Sequence, residues 1–181
     1  VESAASRNGE FDFSRIYSEI NQRVYQEGRQ FGNDIGMGTT LTSVRVEDRS
    51  LAIAHVGDSA IYRFRDGETE QLTIDHTMEQ EIRDRLRPGE DAYIPEYFSH
   101  TLTRCIGQAE DIQTDLLEVD IRSGDRYLLC SDGVTKTIRQ DELARLVKDY
   151  PEPDRFVDGV IVLANNRGGP DNITAIALFF D

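Results

Sequence analysis

Phe13, Ile16, Ile20 and Val24 recur on one helical face, Tyr17 adds to it, and Asp12 or Ser14 is placed to cap the start. The pattern predicts an amphipathic helix ending near residues 28–32. A glycine-rich turn, Asn33-Asp34-Ile35-Gly36-Met37-Gly38, precedes residues 39–46, which are β-branched and alternate as a strand does. Residues 51–56 are apolar on both faces, so they read as a central strand, and they run into Gly57-Asp58-Ser59. With residues 60–65, the Asp66-Gly67 turn and residues 68–72, this region reads as an antiparallel meander. Thr77-Met78-Glu79-Gln80 carries a capping-box signature, and Met78, Ile82 and Leu86 continue at helical spacing beside Arg83, Arg85 and Arg87.

Periodicity fades over residues 88–100, which read as an excursion across the surface, and the chain returns through residues 101–107. Leu117, Val119 and Ile121 alternate into a Ser123-Gly124-Asp125 turn. Residues 127–130 then form a short apolar run that stops abruptly at Ser131-Asp132-Gly133. Leu143, Leu146 and Val147 mark one helix; Phe156, Val157, Val160, Ile161 and Ala164 mark another, with Asp154 as its cap. The apolar residues 175–180 close the chain as a strand. The expected class is therefore α+β, antiparallel sheets covered by helices, in one domain spanning residues 1–181 with no repeat or linker.

Composition narrows the functional classes. Lys and Arg number 20 against 34 Asp and Glu, a net charge of −14, which disfavours nucleic acid and anionic membrane surfaces as partners. The chain contains no apolar run of about 18 residues, and Val1-Glu2-Ser3-Ala4-Ala5-Ser6-Arg7 has neither the basic start nor the apolar stretch of a signal peptide. The expectation is a cytoplasmic protein whose Cys105 and Cys130 are reduced and buried. A cysteine-nucleophile phosphatase requires Cys-x5-Arg, and Lys136 and Asp111 stand where the arginine would be.

The chemistry concentrates in carboxylates. Asp58, Asp132 and Asp171 each fall at a glycine-containing strand boundary. An Asp-Gly pair is first of all a hairpin signal, so Asp132 admits two readings, turn or site, and Asp58 likewise. Carboxylates without paired Cys or clustered His suit hard cations, magnesium or manganese, rather than zinc. Gly36-Met37-Gly38 precedes a strand, whereas a phosphate-cradling glycine loop opens a helix.

Six stretches, in order, resemble the motifs of the metal-dependent protein phosphatase 2C (PPM) family in its bacterial form: Gly36-Met37-Gly38-Thr39-Thr40, Val56-Gly57-Asp58-Ser59, Asp75-His76-Thr77, Leu102-Thr103-Arg104, Ser131-Asp132-Gly133 and Gly169-Pro170-Asp171-Asn172-Ile173-Thr174. The resemblance implies two packed antiparallel sheets flanked by helices, an α-β-β-α sandwich, with a two-metal centre in a cleft. It implies hydrolysis of phosphoserine and phosphothreonine in proteins by a metal-activated water, with Mn2+ or Mg2+ as cofactor, no phosphoenzyme, and a serine/threonine kinase as the opposing enzyme. In that pattern Asp132 and Asp171 are ligands of one catalytic ion, and Asp58 joins Asp132 at a third, weaker one. Residues 78–103 take the place of a mobile flap, and the protein is expected to be a monomer. Its arginines are expected to form a solvated helix face; His76 is expected to fix a turn and His55 to lie in the core or on a strand face.

The chain also departs from the pattern. The family's phosphate-binding Arg, its metal-adjacent Glu and its Asp-Gly-x-Gly-Gly loop, whose Asp bridges the two ions, are absent; Glu2 and Asp34 are the nearest carboxylates, outside the needed motif. The sequence therefore reads as a phosphatase domain without its first strands, with an incomplete catalytic centre. The other reading is a noncatalytic phosphatase-like module that binds metal or a partner. No catalytic side chain or substrate-binding residue is identified.

Overall fold

In the computed structural model, residues 12–30, 36–109 and 111–181 are described. Glu2, Asp34, the 33–35 half of the glycine-rich turn and any helix beyond Gln30 lie outside the described residues. The strands sort into two antiparallel sheets, each carrying helices, and the residues divide into two compact units.

The first unit holds the residues up to Asp58 together with Asp75–Asp120. Helix α1 (Phe13–Gln30) begins where Asp12 Oδ1 accepts the Ser14 N–H at 2.9 Å, so of the two candidate caps it is Asp12 that supplies the bond. Its apolar face packs Phe13, Ile16, Tyr17, Ile20 and Val24 against Ala54, Val56 and Ile106. Tyr17 is fully buried, and its hydroxyl donates to the Ala54 carbonyl at 2.8 Å, which removes the cost of burying that polar tip. The sheet beneath has the order β1 (Leu41–Glu47), β2 (Ser50–Val56), β5 (Asp115–Asp120), so β2, the run apolar on both faces, is the central strand. Helix α2 (Met78–Arg85) starts at Thr77, whose hydroxyl accepts the Gln80 N–H, and no residue of α2 is buried. A short 3-10 helix at Glu96–His100 follows in the otherwise irregular excursion.

The second unit holds Ser59–Ile74 and Ile121–Asp181. Its sheet runs β4 (Glu68–Gln71), β3 (Ala60–Arg65), β6 (Arg126–Cys130), β7 (Ala175–Phe179). The meander expected across residues 51–72 is only half present. β3 and β4 form the hairpin that Asp66-Gly67 called for, with φ of 52° and 84° as a two-residue turn requires. β2 and β3, however, belong to different sheets. Gly57, at φ 116°, turns the chain out of the pleat between them, and a Cβ there would meet Thr40 Cγ2 at 2.3 Å, so only glycine fits.

Three helices cover one face of this second sheet: α3 (Asp132–Thr135), α4 (Gln140–Asp149) and α5 (Pro153–Asn166). Val134, Leu143, Val147, Phe156 and Val160 close over Tyr62, Phe64 and Leu128. The cap of α5 differs from the sequence reading: Pro153 takes the first helical position, which its fixed φ favours, so Glu152 is the N-cap and Asp154 sits in the first turn. Cys130 is buried and Cys105 half-buried, both as free thiols. A bidentate ion pair, Arg65 to Asp125 at 2.6 Å through both oxygens, is sunk beside the hairpin. Burial alone would raise the Asp125 carboxyl, but Arg65, the Arg122 N–H and the Tyr127 hydroxyl hold it below its usual range.

Candidate metal site

Strand β6 ends at Cys130, opposite Ala175 of β7, and the two chains stay stitched beyond the last ladder pair. The Ser131 N–H donates to the Thr174 carbonyl at 3.0 Å, the Ser131 hydroxyl donates to the Asn172 carbonyl at 2.9 Å, and the Thr174 N–H donates back to Ser131 Oγ at 3.0 Å. Gly133 completes the fit, because a Cβ on it would stand 2.4 Å from the Asn172 carbonyl oxygen. Two distant motifs, Ser131-Asp132-Gly133 and Asp171-Asn172-Ile173-Thr174, are thereby fixed side by side.

Asp132 is no hairpin turn. It opens α3, and Lys136, one helical turn on, directs its ammonium back to Asp132 Oδ2 in a short contact and to Asp171 Oδ2 at 3.1 Å. Burial opposes the charge on Lys136, and the two carboxylates outweigh it, so its pKa is raised. Both carboxylates thus converge on one positive centre, and the donor set is all oxygen. That chemistry fits a hard divalent cation, which accepts one or two carboxylates and keeps several waters. Among the described residues no group of three His, Cys, Asp or Glu side chains is arranged to hold an ion.

Asp58 is placed in the first unit, 8% exposed, just past the end of β2. Its neighbour Gly57 is held twice by His76: the Gly57 N–H donates to His76 Nδ1 at 3.0 Å, and the His76 N–H donates to the Gly57 carbonyl at 2.8 Å. His76 fixes a turn, as its motif implied. With Nδ1 accepting, the ring proton sits on Nε2, which donates to Asp115 Oδ2 at 3.1 Å; Asp115 in turn accepts from Arg104 at 2.6 Å. Burial pulls the His76 pKa down, Arg104 adds to that, and Asp115 offsets it only in part. His55, fully buried in β2, packs on the His76 ring with centroids 4.7 Å apart and meets the Thr42 hydroxyl through Nδ1 at 2.8 Å.

Sequence reasoning singled out all three aspartates but missed Lys136 as a part of the site. The signal was its spacing: four residues after Asp132, it stands one turn away on any helix that starts at that aspartate.

Two antiparallel sheets carry helices, and the carboxylates of Asp132 and Asp171 stand together where β6 ends and the chain leads into β7. A family profile described as protein phosphatase 2C matches residues 5–172, and the chain belongs to that family. Protein phosphatase PhpP of Streptococcus pneumoniae is 40% identical over 162 residues, which cover 87% of this chain and 64% of PhpP. Serine/threonine protein phosphatase PstP of Mycobacterium tuberculosis is 37% identical over 146 residues, 78% of this chain and 27% of PstP. The chain thus spans less than two thirds of the length of these curated relatives. Among solved structures, serine/threonine phosphatase Stp1 of Staphylococcus aureus aligns with a TM-score of 0.84 at 25% identity, over 99% of this chain and 71% of that one. The catalytic domain of PstP, solved in complex with 2 manganese ions, aligns with a TM-score of 0.77 at 31% identity, over 97% of this chain and 74% of that one.

Proposed function

We propose that residues 1–181 form one phosphatase domain that hydrolyses phosphoserine and phosphothreonine in proteins, with Asp132 and Asp171 as ligands of manganese or magnesium. The observation that carries this reading is the convergence of those two carboxylates on a single positive centre in the family's own motifs. Asp58 is the ligand of a further ion, and residues 78–103 are the flap. A divalent cation supplies Lewis-acid stabilisation of phosphate oxygens and a water of lowered pKa. The chain's own residues hold the geometry: Ser131 and Gly133 keep Asp171 beside Asp132, and His76 keeps Gly57, and with it Asp58, at the end of β2. A cation is also needed to reverse the local field, since a chain of net charge −14 repels a phosphorylated protein. The partner is a phosphoprotein substrate made by a serine/threonine kinase, met by a monomer in the cytoplasm. No helix among the described residues is long and apolar enough to cross a membrane.

Among the described residues, two carboxylates on one cation are fewer than a two-ion centre uses, and slow turnover is what those two alone would support. The same observation, with Lys136 already offsetting half of the pair's charge, favours a second reading: a noncatalytic module that keeps only metal or partner binding. Phosphate release from a phosphothreonine peptide, measured with manganese, with a chelator, and in Asp132→Asn, separates the two. The phosphatase reading expects slow, manganese-dependent release that the chelator and the substitution abolish. Manganese bound at Asp132 and Asp171 with no release in any divalent salt establishes the noncatalytic reading instead.

A further inference from the structure

We infer that Lys136 is a built-in competitor for the cation site: its ammonium takes the position between Asp132 and Asp171 that a divalent ion would occupy, and so sets how tightly the metal binds. The inference rests on the proposed role of those two aspartates as metal ligands.

The backbone under Lys136 has no freedom to drift. Its N–H donates to the Asp132 carbonyl at 2.8 Å at the end of α3, and it lies between Val134 and Ile138, which are 0% and 2% exposed. The side chain is 22% exposed, against 25% for Asp132 and 44% for Asp171, so all three charges are partly shielded from water. Without a cation the two carboxylates would repel one another in that setting; the ammonium removes the repulsion and holds both in place. Lysine suits the task because its ammonium is a compact point charge with no planar fork to match, on a stem of four carbons that can swing clear. A divalent ion carries twice the charge to the same oxygens and displaces it, but must first break two charge-assisted hydrogen bonds. The metal-free protein is thereby pre-shaped for the ion, at the expense of affinity.

Calorimetric titration with Mn2+ tests this in the wild type, Lys136→Met and Asp132→Asn, alongside melting of each protein without metal. Lys136→Met is expected to bind Mn2+ about tenfold or more tightly than the wild type, and to melt at a lower temperature when metal-free. Lys136→Gln, which keeps a hydrogen-bond donor but no charge, is expected to give the same gain in affinity and covers the case in which Lys136→Met does not fold. Unchanged or weaker Mn2+ binding in the Lys136 variants, with binding lost in Asp132→Asn, overturns the inference while leaving Asp132 as a ligand. Equal binding in all of them, Asp132→Asn included, overturns the ligand assignment as well.

Discussion

Replacing Gly133 by alanine tests whether the two metal-site motifs depend on close backbone approach. The added Cβ stands 2.4 Å from the Asn172 carbonyl oxygen and 3.2 Å from Ile173 Cγ1, and real Cβ atoms essentially never come within 3.0 Å of a neighbour. The obstacle is backbone, so no side chain can rotate away, and the segment after Asp171 must retreat by about 0.6 Å or more, an overpacking that costs about 1–3 kcal/mol. The same carbonyl accepts the Ser131 hydroxyl at 2.9 Å. Retreat stretches that bond toward about 3.5 Å, where it is worth little, a loss of about 1 kcal/mol. Against this, alanine in a helix gains about 1 kcal/mol over glycine. The net expectation is a loss of about 1–3 kcal/mol in urea unfolding, accompanied by Mn2+ binding about tenfold weaker, since Asp171 adjoins the displaced residue. A variant within about 0.5 kcal/mol of wild type with unaltered Mn2+ affinity would show that the two motifs do not depend on this close approach.

Arg65→Ala leaves Asp125, 1% exposed, buried without its bidentate partner, and is expected to cost about 3–5 kcal/mol in the same unfolding assay. The Asp125 pKa is depressed, so the stability it contributes is present above pH 3.8 and lost as pH falls through the folded value; Arg65→Ala should flatten that acid limb, and an unchanged limb would count against the pair. His76 is depressed too, so below pH 6.5 the unfolded chain binds the proton that the folded one refuses, and stability falls with pH there. With Asp115, Arg104 and His55 facing the ring, His76→Asn should remove that slope below pH 6.5, and a slope that persists assigns it to another group. Amide exchange over residues 78–103 should outpace that over Ser50–Val56, because α2 buries no residue whereas β2 is central and packed; equal protection would mean the segment is not a flap.

What could be read from the residues alone was whatever is written in local period or local turn chemistry. Phe13, Ile16, Ile20 and Val24 gave α1 because a single face packs on a single sheet, and Asp66-Gly67 gave its hairpin because few dipeptides tolerate two positive φ angles. The passage of β2 and β3 into different sheets left no periodic trace; it depends on Gly57 and Thr40, which are distant in sequence and meet only in the fold. Helix α3 spans four residues, too short for any apolar repeat to show, so the four-residue spacing from Asp132 to Lys136 was the one trace of the turn that joins them. Arg65 and Asp125 each stand beside a turn, and nothing in either neighbourhood says that the pair is buried. The aspartates stood out because each falls at a glycine-containing strand boundary, whereas Ser131, which bonds Asn172 and Thr174 across the gap, is a short polar residue with no pattern of its own.

Whether Asp132 and Asp171 hold a divalent cation can be seen directly. Crystals grown with manganese, with data collected near the manganese absorption edge, locate the ion directly. An anomalous peak is expected about 2.1 Å from one oxygen of each carboxylate, with the Lys136 ammonium moved away from its present contact with both. A peak elsewhere, or none while Lys136 still bridges the two aspartates, would contradict the ligand assignment.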